Sequence, residues 1–274
     1  MTTTNTGSGV VVVTGAGGMG QAVVRRLGSG RDVVLAEFDA AHLTTVAEPL
    51  TRDGYRVHPV RTDVSVPGDV AALAATAAAL GPIHCIVHTA GLSPTQATAR
   101  QIITVDFVGT ALVLDAFEPH VRPGTVCVCI ASMAAMFGSL SKETEQLLAT
   151  TPTDELSALA ALDPDTLDPG MAYVVAKRGV QVRVEAAAHA WGRRGGRVVS
   201  LSPGVIATPQ GNEELAGESG DAMRAMIAMS ALERVGTPDD IAATVEFLVS
   251  PAASLITGTD ILVDGGVVAA VRRA

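Results

Sequence analysis

Residues 10–20, VVVVTGAGGMG, restrict the possible folds more than any other stretch. An apolar run breaks into glycines and re-enters a helical pattern over residues 21–27, which reads as a buried parallel strand, a tight turn and a helix with an open N-terminus. Gly15, Gly17 and Gly20 satisfy G-x-G-x-x-G, with Gly18 and Met19 filling the last spacing. Such a turn lets backbone approach a pyrophosphate, and the free N–H groups and positive dipole end of the helix favour its charge. Glycine turns also make plain strand–helix junctions, so the reading needs a second residue at the right distance.

Glu37 supplies it. Residues 32–38, DVVLAEF, form a second apolar strand that ends in an acid, about 20 residues beyond the glycines, where a dinucleotide fold places the carboxylate for the adenosine ribose. The next residue, Phe38, is not basic, so nothing in the local sequence greets a 2′-phosphate and NAD is favoured over NADP. Asp39 competes for the ribose role but precedes a helical pattern and suits an N-cap.

Strand patterns recur at 56–61, 83–88, 125–131, 196–201 and 261–263, with helical patterns at 68–80, 99–117, 171–194 and 238–249. Asp63, with Val64 behind it, either reaches an adenine or caps the helix at 68–80. Alternation of this kind implies right-handed βαβ units and one doubly wound parallel sheet of the α/β class, with residues 1–274 forming a single domain. At 48% hydrophobic and 3% aromatic, the core must be built from Val, Ala, Leu and Ile. Residues 138–170 interrupt the alternation: polar and acidic at the ends, they carry Leu147, Leu148, Leu156, Leu159 and Leu162 at helical spacings. This is an insertion of two short helices, either an apolar lid or a surface or subunit-contact elaboration.

A net charge of −9, with Arg193–Arg194 and Arg272–Arg273 among the few tight basic pairs and no longer basic run, argues against nucleic acid. The N-terminus MTTTNTGSG has no apolar h-region and no stretch reaches the length of a membrane span, so a soluble cytoplasmic protein with no membrane partner is expected. Three cysteines make no disulfide framework, and Cys127 and Cys129 should share one strand face as core thiols. The scattered histidines offer no ligand spacing, so no metal is expected.

Tyr173 and Lys177 carry the sharpest chemistry. At i and i+4 they share a helix face, and the ammonium should favour the phenolate and lower the tyrosine pKa towards general acid/base work. Ser132 ends the fifth strand, at the carboxyl edge of the sheet where ligands bind.

Taken in order, TGAGGMG, Glu37, Asp63, HTAG at 88–91, Ser132, YVVAK at 173–177, SPGVIATP at 202–209, RVGTPDDIA at 234–242 and VDGG at 263–266 resemble the short-chain dehydrogenase/reductase family over nearly the whole chain. The resemblance implies that Tyr173 exchanges a proton with the substrate oxygen. It implies that Lys177 holds the nicotinamide ribose and that Ser132 hydrogen-bonds the carbonyl or alcohol. Asp63 would meet the adenine, Val64 and the Ala90-Gly91 backbone would also bind the cofactor, and Pro203, Val205, Ile206 and Thr208 would meet its nicotinamide side. It also implies a homodimer or homotetramer joined through the helices at 99–117 and 171–194. Met223, Met226 and Met229, every third residue in the segment that closes over substrate in this family, either meet an apolar ligand or pack a helix.

The departures are specific. TGAGGMG is one residue tighter than the family's TGxxxGxG, and His88 and Thr89 stand where asparagines are common. Asp106 stands where an asparagine usually orders a water linked to the lysine; here it either holds that water by acceptance and adds a charge beside Lys177 or alters the proton relay, and the relay is expected to survive. Ser132 and Tyr173 lie much farther apart than usual, an arrangement similar to some bacterial 3α-hydroxysteroid dehydrogenase/carbonyl reductases. The expected activity is therefore an NAD(H)-dependent interconversion of a bulky, apolar secondary alcohol and ketone. A 3-oxoacyl thioester reductase and a non-catalytic dinucleotide-binding regulator are the alternatives.

Overall fold

The computed structural model describes residues 9–217 and 220–273. The polar stretch at residues 1–8 lies outside them. Seven parallel strands, β1 (Val10–Thr14), β2 (Asp32–Glu37), β3 (Arg56–Arg61), β4 (Ile83–His88), β5 (Val126–Ile130), β6 (Arg197–Pro203) and β7 (Asp260–Val263), form one sheet in the order β3-β2-β1-β4-β5-β6-β7. The order reverses between β1 and β4, and a crevice at the carboxyl ends of those strands is where such sheets bind ligands.

Parallel strands buried on both faces read as continuous apolar runs, and the alternation decides which side each residue serves. Val11 and Val13 pack on one face with α1 (Gly18–Leu27), α2 (Ala40–Arg52) and α10 (Pro238–Val249). Val10 and Val12 pack on the other, with α3 (Pro67–Leu80), α5 (Gly109–Phe117) and α7 (Pro169–Arg193). Cys127 and Cys129 belong to the second face, their sulfurs 3.7 Å apart, and the single tryptophan, Trp191, closes that layer. Pro59 sits in β3, an edge strand, where a missing N–H costs no inner ladder bond. Asp39 caps α2 through the Ala41 and His42 N–H groups, and Thr237 with Asp240 forms a full capping box on α10.

Two readings of the sequence need correction. Asp63 caps nothing: its Oδ1 accepts the backbone N–H and the hydroxyl of Ser65, while α3 opens on Val66 with Pro67 in its first turn and no side-chain cap. Nor is the helix at 99–117 regular. α4 (Ala99–Ile102) passes into a π turn over Ile103–Val108 before α5 resumes, and Asp106 lies in that turn. Single π turns within α-helices occur often at functional sites.

The insertion folds as α6 (Lys142–Thr150) followed by 3₁₀ turns at Thr153–Ala158 and Ala160–Leu162. Leu148, Leu156 and Leu162 are buried against Ile102, Phe107, Val175 and Val182. Arg183 of α7 fixes it by donating to the carbonyls of Ala149 and Thr151 at the C-terminal end of α6, the end where a cation is favoured. α8 (Pro209–Ala216), α9 (Gly220–Met229) and α11 (Val267–Val271) complete the structure around the carboxyl edge of the sheet. No described helix is long and apolar enough to cross a membrane.

Candidate active site

The glycine turn keeps its expected shape despite being a residue short. Gly15 takes a left-handed φ of +85°, and a Cβ on Gly20 would lie 2.0 Å from the Gly15 carbonyl oxygen, so turn and helix can touch only because both are glycine. A Cβ on Gly17 would meet nothing within 4 Å. The first helical hydrogen bond is Gln21 N–H to Gly17 O, so the N–H groups of Gly18, Met19 and Gly20 have no partner inside the helix, and no side chain caps it. An open, uncapped N-terminus beside open space fits a dinucleotide pyrophosphate. Gly20→Ala is therefore expected to destabilise the fold by about 1–3 kcal/mol through overpacking. Gly17→Ala should leave the urea midpoint unchanged and weaken dinucleotide binding; equal effects of the two on stability would contradict the geometry.

Glu37 braces this turn. Its Oε2 accepts the Ala16 N–H at 2.8 Å and its Oε1 the Phe38 N–H at 2.9 Å, so the acid at the end of β2 is bonded to the backbone beside the glycines. The strand register also brings in a cation that local sequence did not reveal. Arg61, opposite Glu37 on β3, lies over the Phe38 ring at 5.1 Å, with its charge engaged by Asp69 at 2.7 Å. The signal was the parallel pairing of two strand ends, visible only once the strands are aligned.

Thr89 donates from its hydroxyl to the Thr14 and Gly15 carbonyls, holding β4 to the turn. His88 is buried with its Nδ1 2.6 Å from the Thr14 hydroxyl, and burial pushes its pKa down to about 3, with the Lys177 charge acting in the same direction. It is a neutral core residue. Ala90 lies against Gly15, and Val64 is buried against Gly109. Asp63 stays half-buried at the end of β3 and does not line the cleft described next.

A cleft of about 320 Å³ opens at the carboxyl edge. Met19, Gly91, Ser132, Tyr173, Lys177 and Thr208 line it, together with Pro203, Val205 and Ile206 after β6. The residues singled out from sequence on strands and helices far apart in the chain therefore converge. Of the insertion's leucines none lines the cleft; Phe137 just before it and Gly170 at its end do. Met223 and Met226 face the cleft, whereas Met229 is half exposed, which breaks the methionine stripe after two members.

Ser132 caps a 3₁₀ turn, its Oγ accepting the Ala134 N–H at 3.1 Å, and this leaves its own proton free to donate. Lys177 Nζ lies 3.1 Å from Asp106 Oδ2 and 3.4 Å from the Ile130 carbonyl oxygen, and 5.4 Å from the centre of the Tyr173 ring. Asp106 is fully buried, and its Oδ1 accepts the Leu92 N–H at 2.8 Å. The expected charge beside Lys177 is present and touches the ammonium directly, at 3.1 Å. Gly91 permits this approach, since a Cβ there would lie 3.2 Å from Lys177 Nζ and 3.3 Å from Asp106 Oδ2.

The electrostatics also depart from expectation. Tyr173 shows part of its ring to the cleft, yet burial around the hydroxyl pushes the phenol above its ordinary pKa. Lys177 pulls it down, as expected from the spacing, and so does a hydrogen bond from Ser132, but Asp106 and Glu214 add to the rise and the net shift is upward. Burial works against the Lys177 ammonium, but the Asp106 carboxylate and the Tyr173 phenol outweigh it and hold its pKa high. Burial raises the Asp106 carboxyl, opposed by Lys177 and by the Leu92 N–H.

A doubly wound parallel sheet with an open glycine turn at its switch point and a Tyr–Lys pair in the adjoining cleft defines a dinucleotide-fold oxidoreductase. Family models for short chain dehydrogenase and for Enoyl-(Acyl carrier protein) reductase match residues 9–143 and 163–268, and the gap between them falls within the insertion. The short-chain dehydrogenase/reductase bsc3 of Alternaria brassicicola is 35% identical over 96% of this chain and 97% of its own length. The 3-alpha-hydroxysteroid dehydrogenase/carbonyl reductase of Comamonas testosteroni is 30% identical over 68% of this chain and 73% of its own. A solved short-chain type dehydrogenase/reductase from Mycobacterium ulcerans superposes with a TM-score of 0.77 at 25% identity, covering 96% of this chain and 91% of that one. This chain belongs to the short-chain dehydrogenase/reductase family, oxidoreductases that act on alcohols and ketones.

Proposed function

We propose that the chain is an NAD(H)-dependent oxidoreductase that interconverts a bulky, largely apolar secondary alcohol, such as a hydroxysteroid, and its ketone. The observation that carries this is the convergence of Ser132, Tyr173 and Lys177 on one cleft that adjoins the open glycine turn. Its substrate end is walled by Met133, Phe137, Val174, Met223 and Met226, which supports an apolar substrate, and the similarity to a hydroxysteroid dehydrogenase points the same way. Bound across the turn and the cleft, a nicotinamide dinucleotide supplies the hydride acceptor or donor.

The chain's own residues supply the rest. Ser132, whose hydroxyl also meets Tyr173, donates to the substrate oxygen and orients it. Tyr173 exchanges the proton at that oxygen. Lys177, pinned by Asp106, favours the phenolate and reaches the nicotinamide ribose. Gly15, Gly17, Gly18, Met19 and Gly20 seat the pyrophosphate, and Glu37 faces the adenosine ribose, with Asp63, Val64, Ala90 and Gly91 farther along. The Glu37 carboxylate disfavours a 2′-phosphate, and Arg61, already paired with Asp69, offers it little compensation. A cytoplasmic homodimer or homotetramer is part of the same proposal.

Incubation with NAD and a panel of hydroxysteroids, aliphatic alcohols and 3-hydroxyacyl thioesters, following the absorbance of reduced nicotinamide, tests the reading. Turnover of the apolar secondary alcohols is expected. Tight NAD binding with no turnover of any of them would instead favour the dinucleotide-binding regulator. Glu37→Ala should lower the NAD-to-NADP ratio of kcat/KM by roughly tenfold, the scale of one charge-assisted contact; an unchanged ratio would remove Glu37 from cofactor choice.

A further inference from the structure

Adjacent acids on α8 face different ways. Glu213 accepts a hydrogen bond from Gln96, tying α8 to the loop after β4 across the mouth of the cleft. Glu214 and Gln210, one turn apart, line the cleft itself. Positions i and i+4 share a helix face, so together they make one polar strip on a wall that is otherwise apolar. The Glu214 charge is near enough to Tyr173 to push the phenol upward. Among the described residues no hydrogen bond or ion pair engages the Glu214 carboxylate. The only cation lining the cleft among those residues is Lys177, committed to Asp106 at the reacting end.

We propose that Glu214 sets substrate class by charge: the cleft takes a neutral or cationic alcohol or ketone carrying a second hydrogen-bond donor, a hydroxyl or an ammonium, which Glu214 accepts. A carboxylate or phosphate in that position meets a like charge with no cation to offset it. This rests on the oxidoreductase reading and narrows it. Specificity then has an attractive and a repulsive component at one residue. A donor gains a charged acceptor, stronger than a neutral one, and an anion pays for two carboxylates in a partly enclosed space.

The test compares cyclohexanol, its diols, the aminocyclohexanols and the hydroxycyclohexanecarboxylates. Binding to the dinucleotide-saturated protein is read by calorimetry, and turnover by nicotinamide absorbance. Diols and amino alcohols are expected to bind roughly tenfold or more tightly than the carboxylates, with diols and amino alcohols run as separate arms to tell hydroxyl from ammonium recognition. Glu214→Gln should collapse the carboxylate-to-diol ratio towards one, with dinucleotide affinity measured on the same variant to establish that it is folded. Carboxylates that bind as tightly as the diols to the native protein, or a ratio that survives Glu214→Gln, would overturn the inference. Discrimination in binding with no turnover of any member, nor of the hydroxysteroids of the earlier panel, would leave the inference standing and defeat the proposed reaction instead.

Discussion

Asp106→Ala is expected to lower the unfolding free energy by about 3–5 kcal/mol, the cost of removing one partner from a buried charge pair. The Lys177 ammonium would be left among buried groups with the Ile130 carbonyl at 3.4 Å, and the Leu92 N–H would lose its acceptor. Asp106→Asn keeps an oxygen for Leu92 and should cost less. The two variants also separate structure from chemistry. Because the Asp106 charge raises the Tyr173 phenol, its neutral replacement lowers that pKa, and the acid limb of kcat/KM for alcohol oxidation should move to lower pH in Asp106→Asn. Urea midpoints and pH profiles measured together decide the matter. A stable Asp106→Ala with an unmoved profile would mean that the pair supports neither fold nor reaction.

Tyr173→Phe should reduce turnover by about 10²–10⁴-fold, the usual contribution of a positioned acid or base, while dinucleotide affinity stays within a few-fold. The ring and its packing are kept and only the hydroxyl that meets Ser132 is lost. Single-turnover kinetics with the dinucleotide prebound would isolate the chemical step from binding. Loss of dinucleotide binding in this variant would assign Tyr173 to cofactor support in place of proton exchange. Because the phenol sits above its ordinary pKa, alcohol oxidation should rise with pH as the phenolate forms, and ketone reduction should fall over the same range.

The sheet was legible because burial on two faces leaves an unambiguous trace. Four consecutive valines can serve both sides of a parallel strand. Ser132, Tyr173 and Lys177 were legible because each sits at a point the fold makes special: a strand end and one helix face. What was not legible came from geometry across elements. A π turn differs from an α turn by one residue in one turn, too little to disturb the apolar pattern of residues 99–117. Arg61 comes near Glu37 only through strand register. The leucines at 148, 156 and 162 announced two short helices, of which only the first is an α-helix and the rest 3₁₀ turns, but not their destination, since an apolar stripe specifies burial and not the surface that provides it; they cover α7 and the π turn and leave the cleft to α8 and α9.

Glu37 has a consequence for anyone who would redesign the cofactor preference of this scaffold. Its two oxygens bond backbone N–H groups just after β1 and β2, at Ala16 and at Phe38. Recognition and architecture are thus fused in one carboxylate. Exchanging it for a small or basic residue would loosen the turn at the same moment that it relaxed the choice of ribose. The separable handle is one residue on, at exposed Phe38, where the Arg61 guanidinium already waits over the ring and could be freed from Asp69 without touching the brace.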